Sequence, residues 1–246
     1  MKLLILGDIH GRLCWLDIIN KEKPDKVIFM GDYVSTHDKD ISSDQQCSNL
    51  EDILNYKEQN NTSTILLRAN HDNQHLGYSW AECSGYFPEV AEWMSGIKER
   101  FLSLTQWIHI EDFIVFSHAG ISNTWFKSLN LGEPTRENLL KINTLEPSEK
   151  FAFTPERYGD FYGDSKTQPC TWIRPQALLS DPIPGWTQVV GHTAPKYPGE
   201  LISHLPEHLK MEYNTMPGLW CVDTLPNWYM VIDEGKKEMR RYVSKV

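Results

Sequence analysis

The sequence predicts an α/β fold in which strands of a parallel sheet alternate with helices. Two observations carry that expectation. Strand-length apolar runs alternate with segments of helical spacing as far as Leu67, and the end of the chain turns to closely spaced strands. Lys2–Leu6 reads as a buried strand. Leu13–Lys23 reads as a short helix stopped by Pro24, which cannot continue one. Lys26–Met30 is the second strand and ends at Gly31. In Gln45–Gln59, Leu50, Ile53 and Leu54 recur at helical spacing. Thr62–Leu67 is the third strand, and Pro88–Leu104 follows as a helix. Trp107–Glu111 and Phe113–Ser117 flank Asp112 and predict a hairpin. Residues 73–105 and 123–170 are expected to form a partly helical cap or insertion, the second punctuated by Pro134, Pro147, Pro155 and Pro169. Thr187–Val190, Leu219–Asp223, Trp228–Asp233 and Glu238–Val243 are the late strands, the last two joined at Gly235.

A chain of 246 residues can bury a substantial core, and a single domain over 1–246 is expected. Its 40% hydrophobic and 23% charged residues are ordinary for a soluble globular protein. A net charge of −9 without a basic patch argues against nucleic acid and anionic membrane as partners. The apolar run Leu3–Leu6 is too short for a secretory leader, and no run reaches the ~18 apolar residues of a membrane span. Five scattered cysteines without a Cys-x-x-Cys pair are expected to be reduced thiols, which suits a cytoplasmic location.

Five apolar runs end in side chains that ligate metals. "LLILGDIHG" delivers Asp8 and His10, "VIFMGDYV" delivers Asp32, and "LLRANHD" delivers Asn70 and His71. "IVFSHAG" delivers His118 and "QVVGHT" delivers His192. Open α/β sheets collect ligands at the carboxyl ends of their strands. Gly7, Gly31 and Gly191 let the backbone turn sharply or approach closely there. Carboxylate, amide oxygen and imidazole donors suit divalent transition metals of the Mn, Fe and Zn type. Asp8 and His10, two residues apart, share one face if extended and can grip one ion. Asp32 is the candidate bridge of a two-ion site, which clamps the attacking and departing oxygens of an in-line displacement and makes hydroxide available near pH 7. Taken singly each motif is ordinary, since an Asp after a strand is usually a turn residue. Five in order point to a metal centre.

In this order, D-x-H, G-D-x-x, N-H-D, H-x-G and G-H-T resemble the motifs of the calcineurin-like metallophosphoesterases. "GDYV", "LLRANHD", "SHAG", "TWIR" and "VVGHT" are most similar to phosphoprotein (Ser/Thr) phosphatases of the bacterial and bacteriophage type. The resemblance implies a four-layer α/β/β/α sandwich. It implies a hydrolase of phosphorylated substrates that uses two divalent transition-metal ions, manganese first, with Fe, Zn, Ni or Co as alternatives. Asp8 and His10 match ligands of the first ion, Asp32 the bridge, and Asn70, His118 and His192 ligands of the second. His71 matches the general acid, with Asp72 beside it in the catalytic set. Arg174 of "TWIR" matches a phosphate-gripping arginine, a role that suits a bidentate guanidinium.

The chain departs from that pattern. Its "GDYVSTH" has Ser35 where the family has a carboxylate supporting the acid histidine, and Thr36 where it has a phosphate-holding arginine. Thr36, His37 and Arg68 are therefore the substrate-binding candidates beside Arg174. Ala194 stands where many relatives carry a further metal histidine. The aromatic residues Tyr78, Trp80, Tyr86, Phe87 and Trp93 are expected in the core rather than the pocket. Two alternatives to a phosphatase stay open: a dinucleoside polyphosphate hydrolase, and a catalytically weakened relative that binds phospho-ligands.

Overall fold

The computed structural model describes residues 1–154, 165–195, 199–200 and 218–243. Its first half runs β1 (Lys2–Leu6), α1 (Cys14–Glu22), β2 (Lys26–Phe29), α2 (Ser43–Gln59), β3 (Thr64–Leu67), α3 (Asn70–His75), α4 (Pro88–Gly96) and α5 (Lys98–Leu104). Next come β4 (Thr105–Gln106), β5 (Ile108–Glu111), β6 (Ile114–Ser117), α6 (Asn123–Ser128), α7 (Arg136–Leu140) and α8 (Pro175–Ser180). Then follow β7 (Thr187–Val190), β8 (Gly199–Glu200), β9 (Leu219–Cys221), β10 (Trp228–Asp233) and β11 (Lys236–Arg241). The strands form two sheets, in the orders β11-β10-β1-β2-β3-β4 and β5-β6-β7-β9-β8. Strands β1 to β4 run parallel, and so do β6, β7 and β9.

The central strands are apolar at nearly every position because both of their faces are covered. Alternate side chains of β1 face opposite ways. Leu3 and Ile5 join Ile28, Leu67 and Met230 in a core shared with Phe116 and Val189 of the second sheet. Leu4 and Leu6 join Val27, Phe29 and Leu66 against Trp15 and Ile18 of α1, Ile53 of α2 and Val90 of α4. On the far side of the second sheet, Ile110 and Val115 meet Phe126 of α6 and Leu139 of α7, while Val190 and Cys221 meet Leu178 of α8. The result is the expected α/β/β/α sandwich. Each such Leu, Ile or Phe contributes about 1.5–3 kcal/mol of transfer free energy.

Several elements differ from the sequence expectation. The helix over Pro88–Leu104 is two helices, broken at Ile97 (φ −112°, ψ 8°) just after Gly96. Strand β3 starts at Thr64, since Ser63 N–H is held by Asn60 O in the turn that ends α2. Strand β11 starts at Lys236, because Glu234 and Gly235 both take positive φ in a tight turn. The short α3 and α8 have no counterpart in the expected elements. Within the expected 123–170 insertion, residues 155–164 lie outside the described residues. All five cysteines are free thiols. No helix of the described residues is long and apolar enough to cross a membrane.

Candidate metal centre

Parallel strands deliver their carboxyl ends to one edge. Strands β1, β2 and β3 bring Asp8, Asp32 and Asn70 to that edge from the first sheet. Strands β6, β7 and β9 bring His118, His192 and Asp223 from the second. Between them opens a cleft of about 480 Å³.

The backbone at this edge is unusual. His10 (φ 47°), Asp32 (φ 47°) and His192 (φ 60°) all occupy the left-handed region, which non-glycine residues rarely visit. Such conformations concentrate at functional sites, where the surroundings hold them. Here His10 N–H donates to Asp32 O at 2.7 Å, and Gly11 N–H to Tyr33 O at 2.9 Å, so the first two loops lock together. His192 N–H donates to both Asp8 oxygens, at 3.1 and 3.0 Å. Gly191 permits that approach, because a Cβ there would strike Asp8 Oδ1.

Two histidine tautomers are fixed by these loops. His118 Nδ1 lies 2.9 Å from Met30 O, so it must be the N–H, and Nε2 is left with its lone pair. That Nε2 lies 2.9 Å from Asn70 Oδ1, 3.2 Å from His192 Nδ1 and 3.4 Å from Asp32 Oδ2. His10 Nδ1 is held likewise by Val34 O at 3.1 Å, and its Nε2 lies 4.0 Å from both Asp8 Oδ2 and Asp32 Oδ2. Lone pairs therefore converge in two groups, Asp8–His10–Asp32 and Asp32–His118–His192, each with ligand atoms within 4.8 Å of one another. Asn70 joins the second group. Asp32 is common to both; its Oδ2 faces the two histidines, while Oδ1 accepts His71 N–H at 3.1 Å. The mixed oxygen and imidazole donors fit two divalent cations.

The electrostatics agree. Burial, then the charge of Asp223, raises the Asp8 carboxyl well above its usual range; burial, then Asp8, does the same to Asp32. Burial lowers His10 to about 4, His118 to about 3 and His71 to about 2, and lowers His192 as well. At pH 7 the imidazoles are neutral and clustered carboxylates repel one another, which is the field of a cation site. A prediction follows for chelator-treated protein. A carboxyl with a raised folded pKa favours folding below its unfolded pKa and loses that contribution as pH rises through the folded value. Asp8, Asp32 and Asp72, all raised by burial and the last to about 7, carry this loss, and the depressed histidines stop opposing it only above about pH 7.5, where they are neutral folded and unfolded alike. Chelated protein should lose stability as pH rises above about 7.5, while Mn²⁺-loaded protein should not. At a hundredfold excess over Kd, each bound ion should add about 2.7 kcal/mol. Melting temperatures across that range, with and without Mn²⁺, check this; a chelated protein that gains stability with pH contradicts it.

The remaining candidates divide. His71 and Arg174 line the cleft. Arg174 Nη1 is anchored on His192 O at 3.1 Å and Thr193 Oγ1 at 2.9 Å, so the "GHT" motif also holds the arginine. His37 lines the cleft as well. Asp72 does not. Its fully buried carboxylate accepts N–H from Ala69, Asp32 and Tyr33 at 3.0, 3.2 and 2.9 Å, so it positions the loop carrying Asp32 instead of acting on substrate. Arg68 is turned away too: it bonds Thr105 Oγ1 at 3.2 Å and lies over the Trp107 ring at 4.3 Å. Thr36 is only 4% exposed, and its Oγ1 accepts Asp38 N–H, so it does not face substrate either. Accordingly, Thr36→Arg should destabilise the protein without lowering KM, whereas His37→Ala should raise KM. Kinetics of the two variants on a small phosphomonoester check this, and a lowered KM in Thr36→Arg contradicts the placement.

Sequence reading missed Asp223, Cys83 and Phe153, all on the cleft wall. Tyr78, Phe87 and Trp93 pack against the first core, as expected of them, and Trp80 against the second. Tyr86 departs from that expectation and is 52% exposed. The cleft's aromatic flank is Phe153 and Trp172, edge to face at 5.2 Å.

The family model of the calcineurin-like phosphoesterases matches residues 1–217. No curated protein matches the sequence. Among solved structures the chain is similar to a cold-active protein-tyrosine phosphatase from a psychrophilic Shewanella species. That match has a TM-score of 0.54 and 16% identity, over 97% of this chain and 80% of the other. A protein serine/threonine phosphatase from Saccharomyces cerevisiae is similar with a TM-score of 0.52 and 14% identity, over 100% of this chain and 81% of the other. At these identities the likeness is one of fold.

Proposed function

Since this chain belongs to the calcineurin-like phosphoesterases, a family of metal-dependent hydrolases, we propose that it is a cytoplasmic phosphatase of the Ser/Thr phosphoprotein phosphatase type. It acts as one domain over residues 1–246, with two manganese ions at the Asp32 centre. The observation that carries the reading is the sharing of Asp32 between two donor groups in a cleft that also holds His71 and Arg174. When bound, two such ions supply an activated water and offset phosphoryl charge. The chain's own residues do the rest. Asp8 and His10 would hold one ion, Asn70, His118 and His192 the other, and Asp32 would serve both. Arg174, anchored on the "GHT" loop, neutralises the phosphoryl oxygens. His71, neutral before substrate binds, takes up a proton when the anionic phosphate lies beside it and gives that proton to the departing oxygen. Asp72 keeps Asp32 in place through the backbone.

The aromatic flank of Phe153 and Trp172 favours a second reading, in which a nucleobase stacks there and the substrate is a dinucleoside polyphosphate. A panel of phosphopeptides, small phosphomonoesters and dinucleotides, offered to metal-reconstituted protein, separates the two. Turnover of phosphopeptides is expected. Turnover of dinucleotides alone favours the second reading, and phosphate binding without any turnover points to a weakened relative.

A further inference from the structure

Ser35 stands where the family resemblance implies a carboxylate behind the acid histidine, yet it does not serve His71. Its Oγ donates to Gly85 O at 2.7 Å, and its N–H donates to Gln46 Oε1 at 2.7 Å. The segment that Ser35 holds carries another partner. Cys83 Sγ lies 3.4 Å from His71 Nδ1. Cys83 is itself gripped at two points by one side chain: its thiol donates to Gln74 Oε1 at 2.8 Å, and Gln74 Nε2 donates to Cys83 O at 2.7 Å. Gln74 sits three residues after His71 in α3, on the same side of the helix. A thiol has one hydrogen, and here it is engaged with Gln74. The sulfur therefore turns a lone pair to the ring, and Nδ1 must be the N–H. Nε2 is then the nitrogen that faces substrate, and it carries a proton to give only when both ring nitrogens are protonated.

We propose that the Gln74–Cys83 pair is the positioning partner of His71, fixing the tautomer and aim of its ring so that Nε2 meets the departing oxygen. The inference rests on the reading of His71 as general acid and adds what orients it. Sulfur is a weak acceptor, so the pair acts through geometry, held by the two Gln74 hydrogen bonds. Outer-shell partners of metal-bound histidines are worth about 10- to 100-fold, and a similar loss is expected here.

The test compares Cys83→Ala, Cys83→Ser and Gln74→Leu with His71→Asn, all assayed for metal content because Asn70 also lies beside the sulfur. Rates are taken on an alkyl phosphate and on p-nitrophenyl phosphate. The His71 tautomer is read by long-range ¹H–¹⁵N NMR in Zn²⁺-loaded protein at fixed pH. Cys83→Ala should keep its metal, lose roughly 10- to 100-fold on the alkyl phosphate and much less on p-nitrophenyl phosphate, and lose the single Nδ1–H tautomer. Cys83→Ser should recover most of the loss, since a hydroxyl can donate to Gln74 and accept from Nδ1. Gln74→Leu, which releases the clamp and leaves the sulfur, should reproduce the Cys83→Ala pattern and carries the test if that variant misfolds. An unchanged rate ratio with an unchanged tautomer overturns the proposal, and so does a Cys83→Ser no better than Cys83→Ala. If His71→Asn loses both substrates equally, the acid reading has failed; the tautomer then still decides whether the pair orients the ring.

Discussion

Asp32→Asn is expected to strip the protein of both ions, not one. Among the described residues, the carboxylate is the one side chain common to the two donor groups. Its Oδ1 accepts His71 N–H, and its Oδ2 faces His10 Nε2 and His118 Nε2. An asparagine there would turn its carbonyl to the same N–H and point its NH₂ at the histidine lone pairs, putting hydrogens where the cations belong. Charge and lone pairs are lost together, so affinity at each site should fall by more than the roughly 10- to 100-fold typical of outer-shell changes. A second signature separates this from general damage. The substitution removes a buried carboxylate from a repelling cluster, so chelated Asp32→Asn should melt no lower than chelated wild type. Metal analysis with calorimetric melting checks both. Wild-type occupancy at either ion sinks the bridge assignment.

His71→Asn should divide substrates by leaving group. A serine alkoxide departs poorly without a proton, whereas p-nitrophenolate departs readily. General acids contribute about 10²–10⁴-fold, and a loss of that order is expected on alkyl phosphates with much less on p-nitrophenyl phosphate. Metal should stay, because the contact that residue 71 makes with Asp32 comes from its backbone N–H, which the substitution keeps. Equal losses on the two substrates would mean that His71 only shapes the loop.

The ligand-bearing strands were legible because they are buried on both faces and so read as apolar runs ending in metal-type side chains. What the sequence hid has physical causes. Helix α3 is six residues long and polar throughout, so no apolar period marks it. Its start matters, because the Asp72 carboxylate closes on Ala69, Asp32 and Tyr33 N–H groups instead of facing substrate. Arg68 comes directly after β3 and two residues before Asn70, yet its guanidinium bonds Thr105 Oγ1 and falls on Trp107. Asp223 looks like any turn carboxylate after a strand; only the pairing of β7 with β9 carries it to the cleft. Cys83 meets His71 across a segment without regular structure, a contact that no spacing encodes.

The central claim is that this cleft hydrolyses phosphoesters through two ions held on Asp32. Its most direct measurement is the rate on a phosphoserine peptide as Mn²⁺ is returned to chelated protein. The account predicts no turnover without metal, a rise to a plateau at two ions per chain, and a flat response in Asp32→Asn. Chelated protein that works as fast as loaded protein, or loaded protein that turns over no phosphoester, would contradict it.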